Sequence, residues 1–209
     1  MSVGELLPLI DQLARYGQEQ AYTWMVTFDP SEASLASDLN EIVGTFCESA
    51  ALVAADWYNS LDSDTSYRAT YSWGLGQQQR ANIAKWVFGG PQLPENQLKA
   101  ITHSLVYSAA RLTIRENAEL EKVAVVRYEN ADSCGHCRYK ATNVVTERNS
   151  KSANLFEDFH HSCTGMYVPV RSGVYEPPEH ARSWGEKIAK ARLAGKVNAD
   201  DIANWLEDN

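Results

Sequence analysis

The chain has 209 residues, 44% of them hydrophobic and 22% charged, with 12 Gly and 7 Pro. This excludes a disordered or fibrous chain, and the length suffices for one large domain or two small ones burying roughly 70% of the unfolded surface. The whole formal charge of −8 lies in residues 1–60, where Arg15 faces nine acids, so the remainder balances to zero and the front third is a poor surface for nucleic-acid phosphates.

Leu6, Ile10, Leu13, Gly17, Ala21, Trp24 and Phe28 recur in steps of three and four, the stripe of an amphipathic helix. The run MSVGELLPLIDQLARYG has neither the basic region nor the small-residue cleavage site of a secretory signal. No later stretch reaches the ~18 uncharged apolar residues of a membrane helix. A soluble protein made in a cytosol, with no membrane partner, is expected. Asp29-Pro30-Ser31-Glu32 reads as a helix start, with Asp29 capping, Pro30 in the first helical position and Glu32 as a capping-box acid. Leu35, Leu39, Ile42, Phe46, Ala50, Val53 and Trp57 then repeat the rhythm, and so short a join implies antiparallel packing. Cys47 lies one residue off this stripe and reads as a small buried side chain.

Residues 59–66 turn polar and read as a loop. A shorter helix spans 77–88, stopped by Gly89-Gly90-Pro91, and Pro94 opens another with Leu98, Ile101, Leu105, Ala109 and Leu112 on one face. The aromatic residues of this helical module, 1–120, read as core. A β-branched run at 123–126 then predicts a strand, 143–146 a weaker one, and 167–170 a third that Pro169 restricts to an edge. Residues 171–181 read as a connector, and short helices follow at 183–194 and 199–207, the second capped by Asn198. The expected fold is therefore mostly α with a small α+β part. An antiparallel helical module (1–120) precedes a small β-rich segment (121–171), then a connector and C-terminal helices (172–209).

Three of the four cysteines fall in the β-rich segment, as Cys134-Gly135-His136-Cys137 and His160-His161-Ser162-Cys163. The spacing C-x2-C-x22-H-x2-C supplies the four ligands of a tetrahedral Zn²⁺, with sulfurs about 2.3 Å from the metal. The ligands named are Cys134, Cys137, His160 and Cys163. Phe159 favours His160, His161 stays an alternative, and His136 is expected to face solvent. A segment with few large apolar residues (Leu155, Phe156, Phe159) needs such a staple. Four protein ligands leave no position for water, and no Glu stands in a H-x-E or H-E-x-x-H context, so the zinc is expected to be structural and the chain not an enzyme. Near the end, Arg182, Lys187, Lys190, Arg192 and Lys196 face only Glu186 within 181–196, a net +4. This stretch is either a contact for a partner or DNA, or an ordinary solvated helix face.

The order of elements is a helical module, a strand, Cys134-x-x-Cys137, then Phe159-His160-x-x-Cys163 and Val168-Pro169-Val170. It resembles the Mu-F-like (head morphogenesis) minor head proteins of tailed bacteriophages. The motifs cover about residues 120–171, and the helical N-terminus agrees in architecture alone. Ser162 stands where that family often has a second His, and Gly165 where it often has a last Cys. The resemblance implies a non-enzymatic virion component in several copies inside the head near the portal vertex, passing through the host cytoplasm during assembly. It also implies contact with the portal or major capsid protein and a role in head assembly or DNA delivery.

Two other functions fit some of the residues. Val123 to Tyr128 before Cys134-Gly135-His136-Cys137 is similar to the active-site strand and motif of thioredoxin-like oxidoreductases, with Cys134 as nucleophile and Cys137 as resolving thiol. Against this, Ser133 replaces that family's Trp and the upstream βαβ elements are missing. The third function is a zinc-ribbon adaptor that binds nucleic acid through 181–196.

Overall fold

The computed structural model describes residues 2–61, 66–142, 163–171 and 176–208. Among them are seven helices and one two-stranded antiparallel sheet, so the protein is mostly helical with a small β element, as its sequence pattern predicts. The expected strand at 143–146 and the expected ligand His160, with its alternative His161, lie outside the described residues. The chain divides into two compact units, Met1–Asn117 and Ala118–Asn209.

The first unit holds α1 (Val3–Phe28), α2 (Glu32–Ser60), α3 (Gln77–Gly89) and most of α4 (Pro94–Glu121). The packing of α1 on α2 buries Leu6, Ile10, Gly17, Ala21, Leu35, Leu39, Ala50 and Trp57 of the predicted stripes together with Ala14, Val43 and Cys47 beside them. Leu13, Trp24, Ile42, Phe46 and Val53 are partly covered, and Phe28, expected inside, is exposed. Gly17 sits where helices approach closely: a Cβ there would lie 3.2 Å from Thr102 Cγ2 of α4 and 3.3 Å from Phe46 Cγ of α2, tight enough that those side chains would have to give way.

The α1–α2 junction departs from expectation. Asp29 does not cap α2. It ends α1 in the left-handed region (φ 43°), its amide donating to the Met25 carbonyl at 3.1 Å. Ser31 is the cap of α2, in reciprocal exchange with Ser34, whose amide donates to Ser31 Oγ at 3.2 Å and whose Oγ accepts from the Ser31 amide at 3.0 Å. A Ser-x-x-Ser pair does the work of a capping box here.

The buried face of α4 is also rotated from the expected one. Leu98 and Ala109 are inside, but Leu112 is 40% exposed, while Thr102, Thr113 and Asn117 are buried. Each of these polar side chains bonds a carbonyl one turn back, at Leu98, Ala109 and Thr113. Asn117 also acts as a peptide surrogate for the irregular segment before α3. Its Oδ1 accepts from the Thr70 amide (2.9 Å) and the Tyr67 hydroxyl (2.7 Å), and its Nδ2 donates to the Thr70 carbonyl (2.7 Å). Asn40 does the same for Leu75 on both its amide and carbonyl, each at 3.2 Å.

In the second unit, α4 passes into β1 (Ala124–Tyr128) through Lys122 at φ 62°. The Val123 amide reaches back to the Ala118 carbonyl (2.9 Å) and the Lys122 amide to Glu119 (3.2 Å), the double closure of a Schellman turn. Strand β1 pairs antiparallel with β2 (Met166–Val170), Val126 opposite Val168 and Tyr128 opposite Met166. With two strands both are edges, and Pro169 is accommodated opposite Val125. A short helix, α5 (Gly135–Ala141), is capped by Cys134 and carries Cys137. It packs on α6 (Glu179–Leu193) and α7 (Ala199–Asp208) around Ile188, Ala191, Ile202 and Leu206, with Tyr139 and Trp205 at the margin. Asn198 caps α7 as its sequence predicts, its Oδ1 accepting from the Asp201 amide at 2.8 Å. No helix among the described residues is long and apolar enough to cross a membrane.

Candidate metal centre

The antiparallel register places Met166 opposite Tyr128, so the residues just beyond each strand end converge. Cys163 lies three residues before β2. Cys134 is the N-cap of α5 and Cys137 lies in its first turn. The outcome is that Cys137 and Cys163, 26 residues apart, bring their sulfurs to 2.9 Å, both nearly excluded from solvent. Cys134 is half-buried. The sequence predicts that Cys134, Cys137, His160 and Cys163 converge; among the described residues the contact found is that of Cys137 with Cys163.

A buried ion pair lies against the two sulfurs. Arg127 Nη2 stands 3.3 Å from Cys137 Sγ and 3.8 Å from Cys163 Sγ, while its Nε donates to Glu129 Oε1 at 2.5 Å. The two side chains are 6% and 1% exposed, so the charges are taken almost fully out of water. Glu129 Oε2 accepts from Ser133 Oγ at 3.0 Å. The Glu129 carbonyl accepts from His180 Nε2 at 3.0 Å, which fixes that ring nitrogen as the protonated one, and the His180 ring packs between Tyr128 and Trp184. Sequence reasoning missed Arg127 and Glu129. Their signal was present in an Arg inside the β-branched strand and a Glu two residues on, just past the strand's end.

Two glycines let the elements close. A Cβ on Gly165 would fall 2.1 Å from the Glu129 carboxylate, so the place where the resembled family often carries a cysteine is filled here by an acid. A Cβ on Gly135 would lie 2.0 Å from the Ala203 carbonyl oxygen, so α5 meets α7 at backbone distance. Glu207 accepts from the Gly135 amide at 2.5 Å and Arg138 donates to the Leu206 carbonyl at 3.0 Å.

The Cys137 thiol is held well above its ordinary pKa by its hydrogen bond with Cys163, then by burial and by the Glu129 charge, with Arg127 acting the other way. Burial, then Glu48, likewise raises Cys47, which lies in the first unit's core and has no part in this cluster.

The donors suit zinc in kind: soft sulfurs, shielded from water, with a guanidinium to offset anionic charge. Two sulfurs on one tetrahedral zinc sit about 3.7 Å apart for bonds of about 2.3 Å. The pair at 2.9 Å would open by less than an ångström. Among the described residues no three His, Cys, Asp or Glu side chains form a metal-holding group; the expected fourth ligand, His160, lies outside them. Of the basic residues near the end, Arg182, Lys190 and Arg192 are exposed on or beside α6, and Lys187 and Lys196 are partly covered.

No curated protein and no solved structure matches the chain significantly. A family model described as VG15 protein matches residues 10–191, which takes in α1 to α6, both strands and all four cysteines. The chain therefore belongs to the VG15 protein family, a family of viral (phage) proteins.

Proposed function

We propose that this chain is a minor head protein of a tailed bacteriophage, non-enzymatic, acting beside the portal in head assembly or DNA delivery, with a structural zinc held by Cys134, Cys137, His160 and Cys163. The observation that carries the reading is the meeting of Cys137, in α5, and Cys163, just before β2, in a small unit that follows an acidic helical module, inside a viral family. An acidic module repels packaged DNA and suits a protein partner with basic patches, so portal or capsid protein is the contact it favours. Zinc would supply a crosslink between α5 and the start of β2. The chain's own groups would orient it: Glu129 fixes Arg127, and Arg127 stands over the sulfurs.

Mass spectrometry of gradient-purified virions and empty heads of the encoding phage tests the role. The chain is expected in both, at far fewer copies than the major capsid protein. Its presence in lysates but in neither particle would overturn the assignment.

A thiol–disulfide oxidoreductase keeps one favourable observation, the half-buried Cys134 at a helix start. Its proposed resolving thiol, Cys137, is instead in contact with Cys163 and held protonated, which makes it a poor partner for exchange. Insulin reduction lost in Cys134→Ala but kept in Cys163→Ala would favour the enzyme.

A further inference from the structure

Between the end of α1 and the start of α2 lies an open groove of about 530 Å³, lined by Trp24, Phe28, Pro30 and Ile42, with Asp38 and Glu41 on its wall. The volume is in the range of pockets that bury a compact apolar group. Trp24 and Phe28 stand with ring centroids 6.0 Å apart, and Phe28 is 66% exposed. The groove belongs to the part of the chain that carries a net −8.

The second unit presents a feature of complementary chemistry. At the end of α6, Leu193 is 89% exposed and Val197, in the turn to α7, 86% exposed, the two most exposed large apolar side chains among the described residues. Lys190 and Arg192 are exposed beside them, within the stretch of net +4. Gly195 (φ 81°) closes α6, its amide donating to the Arg192 carbonyl at 3.0 Å, so the apolar tip is held on a defined turn.

We infer that the acidic aromatic groove of one copy receives the basic apolar tip, Lys190 to Val197, of a second copy of this chain. Leu193 and Val197 would cover Trp24, Phe28 and Ile42, while Lys190 and Arg192 meet Asp38 and Glu41. The two surfaces differ, so each copy gives a tip and offers a groove, and one copy joins the next through two unlike patches. The apolar contact supplies affinity and the charges supply orientation, so added salt weakens the assembly without abolishing it.

Two variants alter exposed positions and leave the core alone. Phe28→Ser with Glu41→Lys spoils the groove, and Arg192→Glu with Leu193→Ser spoils the tip. The purified full chain, measured by sedimentation velocity over a concentration series, is expected to self-associate as its concentration rises. Each variant alone is expected to stay a monomer with an unchanged helical circular dichroism signal. Mixed in equal amounts they are expected to form a dimer and stop, because one good groove and one good tip remain between them. A wild-type chain that stays monomeric at every concentration leaves the groove to some other protein and overturns the inference. So does assembly that survives in either variant, or a mixture that remains monomeric.

Discussion

Glu129→Leu is expected to destabilise the second unit by about 3–5 kcal/mol, the cost of leaving a buried charge without its partner. Arg127 is 6% exposed, and its guanidinium is held between the Glu129 carboxylate and two sulfurs. With Glu129 gone, one cation remains in a low-dielectric pocket with weak acceptors. Compact units of this size have total stabilities of about 5–15 kcal/mol, so such a loss approaches unfolding. The double variant Arg127→Leu/Glu129→Leu removes both charges and should cost clearly less than the sum of the two single changes, because the penalty of the orphaned charge then disappears. Urea unfolding followed at the aromatic residues of α6 and α7 measures all three. Additive losses would show that the pair contributes nothing as a pair.

Withdrawing zinc is expected to have a larger effect still. Structural zinc in small domains contributes an apparent 10–16 kcal/mol near neutral pH, comparable to or above the total stability of about 5–15 kcal/mol of an ordinary domain. One apolar cluster of the second unit gathers Ile188, Ala191, Ile202 and Leu206, and each fully buried large side chain contributes roughly 1.5–3 kcal/mol. Chelation, or Cys163→Ser, should therefore remove hydrogen-exchange protection from β1, β2, α5, α6 and α7. Helices α1 to α3, with their own core around Leu6, Ile10, Leu39 and Trp57, should keep theirs. The Cys137 thiol is held protonated by Cys163 and by burial, so metal uptake must release its proton, and zinc affinity should fall as pH is lowered. Identical protection with and without chelator would contradict a stapling role.

The long helices were legible because their apolar positions recur every three to four residues over seven repeats. Their borders were written in Gly89-Gly90-Pro91, Pro94 and Asn198. Asp29 was misassigned because an Asp followed by Pro resembles a helix start. What decided the matter was the Ser31–Ser34 exchange, which leaves Asp29 to end the preceding helix. The inner face of α4 was hidden for another reason. Thr102, Thr113 and Asn117 are polar in composition yet buried, each satisfied by backbone groups, and hydropathy carries no trace of a hydrogen bond.

At the site, the spacing of the cysteines pointed to one locus, and Cys137 meets Cys163 there. The positive and negative groups behind them were readable as Arg127 in the strand and Glu129 just past its end. The step from that spacing to a buried pair needed the antiparallel register of β1 and β2, which aligns Tyr128 with Met166 and so brings Gly165 onto the Glu129 carboxylate. The small helix α5 escaped notice because seven residues are too few to show a period.

X-ray absorption at the zinc edge, on purified full chain whose metal content has been counted, tests the central claim most directly. One zinc per chain in a shell of three sulfurs and one nitrogen is the predicted result. A folded chain without zinc, or a bound zinc whose shell contains no sulfur, would contradict it.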